Sequence, residues 1–349
     1  MKIAIISDQH IGVRNNSNHF LNYFSKFYED VFFPTLKDQG ITTVINCGDT
    51  LDNRKSLNIL TLQKFNDMWI SKLLKNNITE HVILGNHTSY FKNTNRINSL
   101  KSIYEPHSHL LHLYDVEPSE AVLGGVRIGL VPWITTDTHD VCIEFIKNTK
   151  ATILCGHFEI TGFVMDGNMK CESGLSHKLF SRFHHVFSGH FHKKQSIGNI
   201  SYVGSPYDMT FADCGETKGF HTLDTDTGEV GFTPNPNKMF YKLYYDENKL
   251  SIDDAYDFKN FKDAYVRLIV PSKKNSILFE KILTELDASG LYDLSIVELN
   301  EDVIEGESLD MSLSTLEIIE EHVDEIEDSA NKELIKKTLR QIYTEAINL

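Results

Sequence analysis

Ile3-Ala4-Ile5-Ile6-Ser7-Asp8-Gln9-His10 stands at the start of the chain: four apolar residues, then two candidate metal ligands one residue apart. A run this short and this apolar reads as a strand buried on both faces, the kind found in layered α/β folds. Asp8 and His10 are one strand period apart, so both side chains leave the same face and can reach one ion. The motif recurs. Val44-Ile45 precedes Asp49, Val82-Ile83-Leu84 precedes Asn86, Ile153-Leu154 precedes His157, and Val186-Phe187 precedes His190 and His192. A single Asp or His after a strand is an ordinary loop residue. Five in order place seven N/O ligands at strand ends, enough for two ions, and carboxyl ends of strands are where α/β sheets gather their ligands. Gly48, Gly85, Gly156 and Gly189 each stand just before a ligand, where a residue without Cβ lets the backbone approach closely.

Between these runs lie helical stretches, Phe20 to Leu36 and Leu57 to Leu74 among them. After Ile128-Gly129-Leu130-Val131-Pro132-Trp133 the strand-and-helix rhythm resumes, so the expected fold is α/β, a two-sheet β-sandwich flanked by helices. Thr233-Pro234-Asn235-Pro236-Asn237 reads as a break near the end of this core. Beyond it a small α/β unit is expected: a strand over 265–270, a helix over 276–286 capped by Ser276, and a strand over 295–299. Residues 301–314 are acidic and poor in large apolar side chains and read as a linker. Two amphipathic helical patterns follow, Leu316, Ile319, Val323, Ile326 and then Ile335, Leu339, Ile342, Ala346. Helices placed after a linker are suited to docking a partner helix, the alternative being that they pack at home. The divisions are therefore 1–240, 241–302 and 303–349.

At 349 residues the chain is long for one domain, and its composition is that of an ordinary globular protein. No apolar run approaches the roughly 18 residues needed to span a membrane, and Asp8 interrupts the N-terminal apolar tetrad too early for a signal peptide. A cytoplasmic protein with no membrane partner is expected. Five cysteines without a C-x-x-C pair argue for reduced thiols, with Cys47 and Cys155 in the core. Trp69 and Trp133 are also read as core residues. The net charge of −15 would disfavour a polyanionic substrate, but thirteen acidic residues fall between Glu298 and Asp328 with no Lys or Arg among them. The acidity belongs to the tail. The loops after the candidate ligands instead carry Arg14, Arg54, Lys55, Lys92, Arg96, Lys193 and Lys194, a candidate DNA-binding set whose alternative is ordinary solvated charge.

Two ions held about 3.5–4 Å apart by carboxylate and imidazole suit phosphoester hydrolysis by metal-activated water. With no thiolate among the ligands the site favours Mn, Fe or Zn. His87, beside Asn86, is free to give a proton to the leaving oxygen.

The order Asp8-x-His10, Gly48-Asp49-x-x-Asp52, Gly85-Asn86-His87, Gly156-His157 and Gly189-His190-x-His192 resembles the calcineurin-like metallophosphoesterases. The resemblance implies that Asp8, His10, Asp49 and His192 hold one ion and Asp49, Asn86, His157 and His190 the other, with Asp49 bridging and His87 as the acid. Within that superfamily the chain looks like the nuclease subunits of the SbcCD and meiotic-recombination complexes, closest to the recombination endonuclease subunits of T-even-like phages. Gly48 to Lys55, Val131-Pro132-Trp133, Gly156 to Phe163 and Tyr202-Val203-Gly204-Ser205-Pro206 carry this closer likeness. It implies manganese-dependent cutting of DNA, exonucleolytic on duplex ends and endonucleolytic on single strands, in recombination and repair. It further implies a capping domain over 241–302 that positions DNA, terminal helices that grip an SMC-like ATPase, and a nuclease homodimer within a heterotetramer, in the host cytoplasm if phage-encoded. Where the superfamily has Asp after Asn-His, this chain has Thr88, which offers a neutral hydrogen bond at most, so either low activity or help from another carboxylate such as Asp52 is expected. The alternatives are a metallophosphoesterase acting on a small phosphodiester or a phosphoprotein, and a scaffold that kept the fold without the chemistry.

Overall fold

The structure, a computed structural model, describes residues 1–165, 169–247 and 256–298, with residues 335, 336, 338 and 339. The chain divides into two compact units, the first made of residues 1–165, 170–209 and 215–239 and the second containing 210–214 and the residues from Phe240 on.

The first unit holds two six-stranded sheets. In one, β1 (Lys2–Ile6), β2 (Thr43–Asn46), β3 (Thr79–Ile83) and β4 (Leu111–Tyr114) run parallel, and β11 (Gly219–Asp224) and β12 (Val230–Pro234) extend it antiparallel beyond β1. In the other, β6 (Val126–Val131), β7 (Ile153–His157), β8 (His185–Gly189) and β10 (Ile200–Tyr202) are parallel, with β5 (Ser119–Leu123) and β9 (Gln195–Ile197) as antiparallel edges. Thr233 and Pro234 belong to edge strand β12, where a missing N–H does little harm, so the expected break falls after them.

Period-two alternation decides which residues meet between the sheets. Ile3 and Ile5 of β1, Ile45 of β2 and Ile83 of β3 join Ile128, Leu130, Ile153, Cys155 and Phe187 in one buried cluster, with Cys47 among them. On the outer side of the second sheet, Cys142 and Ile146 of the His139–Asn148 helix pack with Val131, Leu154 and Val186. An aromatic layer forms from the helix Asn18–Phe27 and the wide turn Tyr28–Phe32: Phe27, Tyr28 and Phe32 are buried, and Trp69 lies 5.2 Å from both Tyr28 and Phe32. The helical stretch Ile59–Phe65 continues through Asn66–Ile70 and Ser71–Lys75 and delivers Trp69 to this layer.

In the second unit, β13 (Phe240–Tyr244), β14 (Tyr265–Val270) and β15 (Asp293–Glu298) form a parallel three-stranded sheet. The helix Ser276–Ala288 buries Phe279, Ile282 and Leu286 with Val266, Leu268 and Val270. Its cap is Asn275 rather than Ser276, because the Asn275 side chain accepts the Leu278 N–H at 3.0 Å. β15 begins at Asp293, opposite Tyr265, two residues before the expected start. The acidic stretch 301–314 and the first amphipathic pattern, Leu316 to Ile326, lie outside the described residues, as do Ile342 and Ala346; Ile335 and Leu339 of the second pattern are helical. Among the described residues no helix is long and apolar enough to cross a membrane.

Candidate metal centre

Each parallel strand that carries a candidate ligand delivers it at its carboxyl end. Asp8 and His10 follow β1, Asp49 follows β2, Asn86 follows β3, His157 is the last residue of β7, and His190 and His192 follow β8. To aim inward, four of these residues adopt left-handed backbone: Asp8 at φ 52°, His10 at φ 42°, Asp49 at φ 50° and His190 at φ 96°. Each such residue costs on the order of 1–3 kcal/mol and persists only where its surroundings fix it. Here they do. The Asp8 N–H donates to the Gly48 carbonyl at 3.0 Å and the His10 N–H to the Asp49 carbonyl at 2.9 Å, so the first two loops run side by side.

Two backbone N–H groups anchor the carboxylates, His190 N–H on Asp8 Oδ1 at 2.9 Å and His87 N–H on Asp49 Oδ1 at 2.8 Å. The other oxygen of each is left facing the cluster. Asp49 Oδ2 lies 3.7 Å from His10 Nε2 and 3.2 Å from His157 Nε2, between imidazoles of the two sheets. On one side of it His10 Nε2 and His192 Nε2 are 3.0 Å apart. On the other, Asn86 Oδ1 is 2.9 Å from His157 Nε2 and 3.1 Å from His190 Nδ1. His157 Nδ1 lies 2.8 Å from the Cys47 carbonyl, an acceptor, so Nδ1 carries the proton and Nε2 turns its lone pair inward.

Burial opposes charge on His10, yet its hydrogen bond to Asp52 and the carboxylates of Asp49, Asp52 and Asp8 raise its pKa to about 9. His157 is likewise raised against its burial, chiefly by Asp49. His190, buried beside His157, is pushed down to about 3. Burial would raise Asp49, but His157, His87 and His10 hold it well below the usual carboxylate range. Asp52 is lowered against its burial by His10 and His87. The carboxylates thus set up a field that favours positive charge among the ligands.

The donor set fits divalent cations. Three groups each gather ligand atoms within 4.8 Å of one another: Asp8, His10 and His192; His10, Asp49 and His87; and Asp49, His157 and His190. Asp8 Oδ2 is buried with no hydrogen-bond partner, an atom a cation would satisfy. Space is reserved as well. A Cβ on Gly85 would lie 2.2 Å from Asp49 Oδ1, and one on Gly48 2.5 Å from His157 Nδ1.

His87 sits at the rim, its ring 4.7 Å from that of His10 and edge-on to it. Its Nδ1 lies 3.0 Å from the Asp52 carbonyl and 3.9 Å from Asp52 Oδ1, which leaves Nε2 for a substrate. Burial lowers its pKa while Asp49 and Asp52 pull the other way. Thr88 is fully buried and donates to the Gly85 carbonyl at 3.2 Å, so it braces the loop, and the carboxylates near His87 are those of Asp49 and Asp52. Trp133 is a correction to the sequence reading. It is only partly buried, and its ring centroid lies 5.1 Å from that of His190 and 5.8 Å from that of His157, at the site rather than in the core. Trp69 is in the core as expected.

The cations divide. Arg14, Lys55, Lys92 and Arg96 are exposed, Arg54 is half-buried, and none of the five forms an ion pair among the described residues. Lys193, by contrast, pairs with Glu216 at 3.6 Å, and the Lys194 ammonium lies 4.6 Å from the centre of the Phe232 ring.

The family model described as calcineurin-like phosphoesterase matches residues 1–194. Exonuclease subunit 1 of Enterobacteria phage T4 is 28% identical over 353 residues, 99% of this chain and 99% of its own length. A subunit of the nuclease SbcCD from Staphylococcus epidermidis is 32% identical over 92 residues, 24% of this chain and 25% of that one. A solved dimetal phosphatase from Danio rerio overlaps 64% of this chain and 91% of its own at 12% identity and a TM-score of 0.39, too loosely to bear on the reaction.

Proposed function

The chain belongs to the calcineurin-like phosphoesterase family, and from that premise we propose that it is a metal-dependent DNA nuclease subunit. It would hydrolyse phosphodiester bonds with two divalent ions, manganese first among them. The observation that carries the reading is the position of Asp49 Oδ2 between His10 and His157, where one carboxylate oxygen can serve both halves of the ligand set. In this reading Asp8, His10, Asp49 and His192 hold one ion and Asp49, Asn86, His157 and His190 the other. Such a pair, when bound, supplies Lewis-acid stabilisation of a phosphodiester in displacement and water of lowered pKa.

The chain's own residues do the rest. The N–H groups of His87 and His190 fix the two carboxylates in place. Asp52 orients His87 through its carbonyl and favours the charged ring by its carboxylate, so that Nε2 can give a proton to the leaving oxygen. Arg14, Arg54, Lys55, Lys92 and Arg96 are available to a polyanion, whereas Lys193 and Lys194 would have to leave Glu216 and Phe232 to join them. DNA as substrate is supported by the nuclease names of the two relatives, and partner subunits by the word subunit in both. We extend this to an SMC-like ATPase partner engaged by residues 303–349, with 241–302 as a capping domain. We extend it also to a homodimer, for which Ile59, Leu60 and Leu62, exposed on one helix, offer an apolar surface. The enzyme would work in the cytoplasm.

The test is hydrolysis of end-labelled duplex and circular single-stranded DNA with manganese and with magnesium, for wild type, Asp49→Ala and His87→Ala. Bis-p-nitrophenyl phosphate serves as the small-diester control. Manganese-dependent cutting, lost on Asp49→Ala and lowered roughly 10²-fold or more on His87→Ala, is expected. Turnover of the small diester with no DNA cutting would overturn the nuclease reading and leave a phosphodiesterase.

A further inference from the structure

The segment after His87 folds back on itself beside the metal centre. Ser89 and Asn98 form an antiparallel bridge, the Tyr90 N–H donates to the Ile97 carbonyl at 2.9 Å, and the Ser99 N–H donates to the Thr88 carbonyl at 3.1 Å. At its base Ser89 Oγ donates to Asn95 Oδ1 at 2.7 Å, and Asn95 Nδ2 to the Trp133 carbonyl at 2.7 Å. The finger is thus tied to the residue that stands against His190.

On this braced finger two aromatic rings face water. Tyr90 is 42% and Phe91 44% exposed, and they meet edge to face with centroids 4.8 Å apart. Tyr90 and Ile97 share a cavity of about 170 Å³ with Asn53, Arg54 and Lys55 of the loop that follows Asp49. Lys92 and Arg96 lie on the finger itself, and none of these four cations has an ion-pair partner among the described residues. Cations held in no ion pair suit phosphates, and aromatic faces suit bases. An apolar protein surface would have to bury the charges, and a phosphate alone would leave the rings without a use.

Resting on the nuclease reading, we propose that Tyr90 and Phe91 form a stacking site for an unpaired base of single-stranded DNA, with Arg54 and Lys55 taking the adjoining phosphate. Tyr90 is three residues from His87, at most about 11 Å along an extended chain. That is the length of about three stacked nucleotides at 3.4 Å each, so the stacked base lies within about three nucleotides of the bond being cut. Stacking on a protein ring is tolerant of base identity and gains affinity over a chain without bases. A strand splayed on the finger would be held open at the metal centre.

The test uses the full chain with manganese and a labelled duplex as reporter. Unlabelled thymidine 12-mer and an abasic 12-mer of the same phosphodiester length compete for it. Wild type is expected to prefer the strand with bases by roughly 5- to 100-fold. The double variant Tyr90→Ala/Phe91→Ala should bind both strands as wild type binds the abasic one, while Tyr90→Trp keeps the preference. Both rings are exposed, so an unfolding midpoint at the wild-type value checks that the double variant is folded. A wild type that does not distinguish the two strands, or a double variant that keeps the full preference, overturns the stacking site. Failure of the nuclease reading looks different: wild type then turns over bis-p-nitrophenyl phosphate but cuts no DNA, and the stacking site falls with it.

Discussion

Two buried polar clusters lie a few residues apart in the first unit, and they differ in whether they satisfy themselves. Glu80, wholly buried on β3, receives Asn46 Nδ2 and Trp69 Nε1 at 3.1 Å and the Tyr104 hydroxyl at 2.9 Å, so donors meet both carboxylate oxygens. Asn46 also reaches Gln9 Oε1 at 2.9 Å and Thr50 Oγ1 at 3.0 Å, and its own carbonyl oxygen accepts the Gly48 N–H at 3.2 Å. Around the candidate ligands the arithmetic fails. An Asn86 oxygen and two imidazole nitrogens crowd one point, two Nε2 atoms meet at 3.0 Å, and Asp8 Oδ2 has no donor. Burial of polar atoms is common to both, so it does not mark a site. A set of nitrogen and oxygen ligand atoms converging with too few donors does, because divalent cations would complete it.

That contrast is exposed first by filling the unfinished cluster. Gly85→Ala puts a Cβ 2.2 Å from Asp49 Oδ1, so manganese-dependent hydrolysis should fall by about 10³-fold or more, together with the rise in unfolding temperature that manganese gives wild type. The Glu80 cluster should respond in stability instead. Glu80→Gln faces one donor with another and should cost about 1–3 kcal/mol in denaturant unfolding, with manganese still raising the midpoint. Its pH dependence has a definite sign. Burial raises the Glu80 pKa from 4.5 to about 7 against its three hydrogen bonds, so the folded state binds that proton more tightly. The resulting stability is present in full below pH 4.5 and is lost as pH rises through about 7. Wild type should lose up to about 3 kcal/mol relative to Glu80→Gln over that interval. Thr88→Val should have the smallest effect, about 1 kcal/mol for the lost bond to the Gly85 carbonyl, with the rate changed only a few-fold because Asp52 still sets His87.

The sequence makes the sheets and the meeting of seven polar side chains readable because both follow local rules. Short apolar runs become strands, and in parallel sheets their carboxyl ends converge. Even the left-handed backbone at Asp8 and Asp49 has a local basis, since Asp tolerates that region better than most residues. The Glu80 cluster has none. Asn46, Trp69 and Tyr104 reach it from separate elements, and no spacing rule links them. Trp133 reads as core from the apolar run Ile128 to Val131, but its position after Pro132 carries it past the end of β6 to His190. Asn275 and Ser276 are equally good caps by type, and only the direction of a side chain decides between them.

Whether the unfinished cluster is one centre for two ions joined through Asp49 can be decided by loading the full chain with manganese, counting the metal by elemental analysis and recording its electron paramagnetic resonance. Two ions per chain with an exchange-coupled spectrum are expected, with that coupling lost on Asp49→Ala. A single ion, or two ions with uncoupled spectra in wild type, would mean that Asp49 bridges no pair.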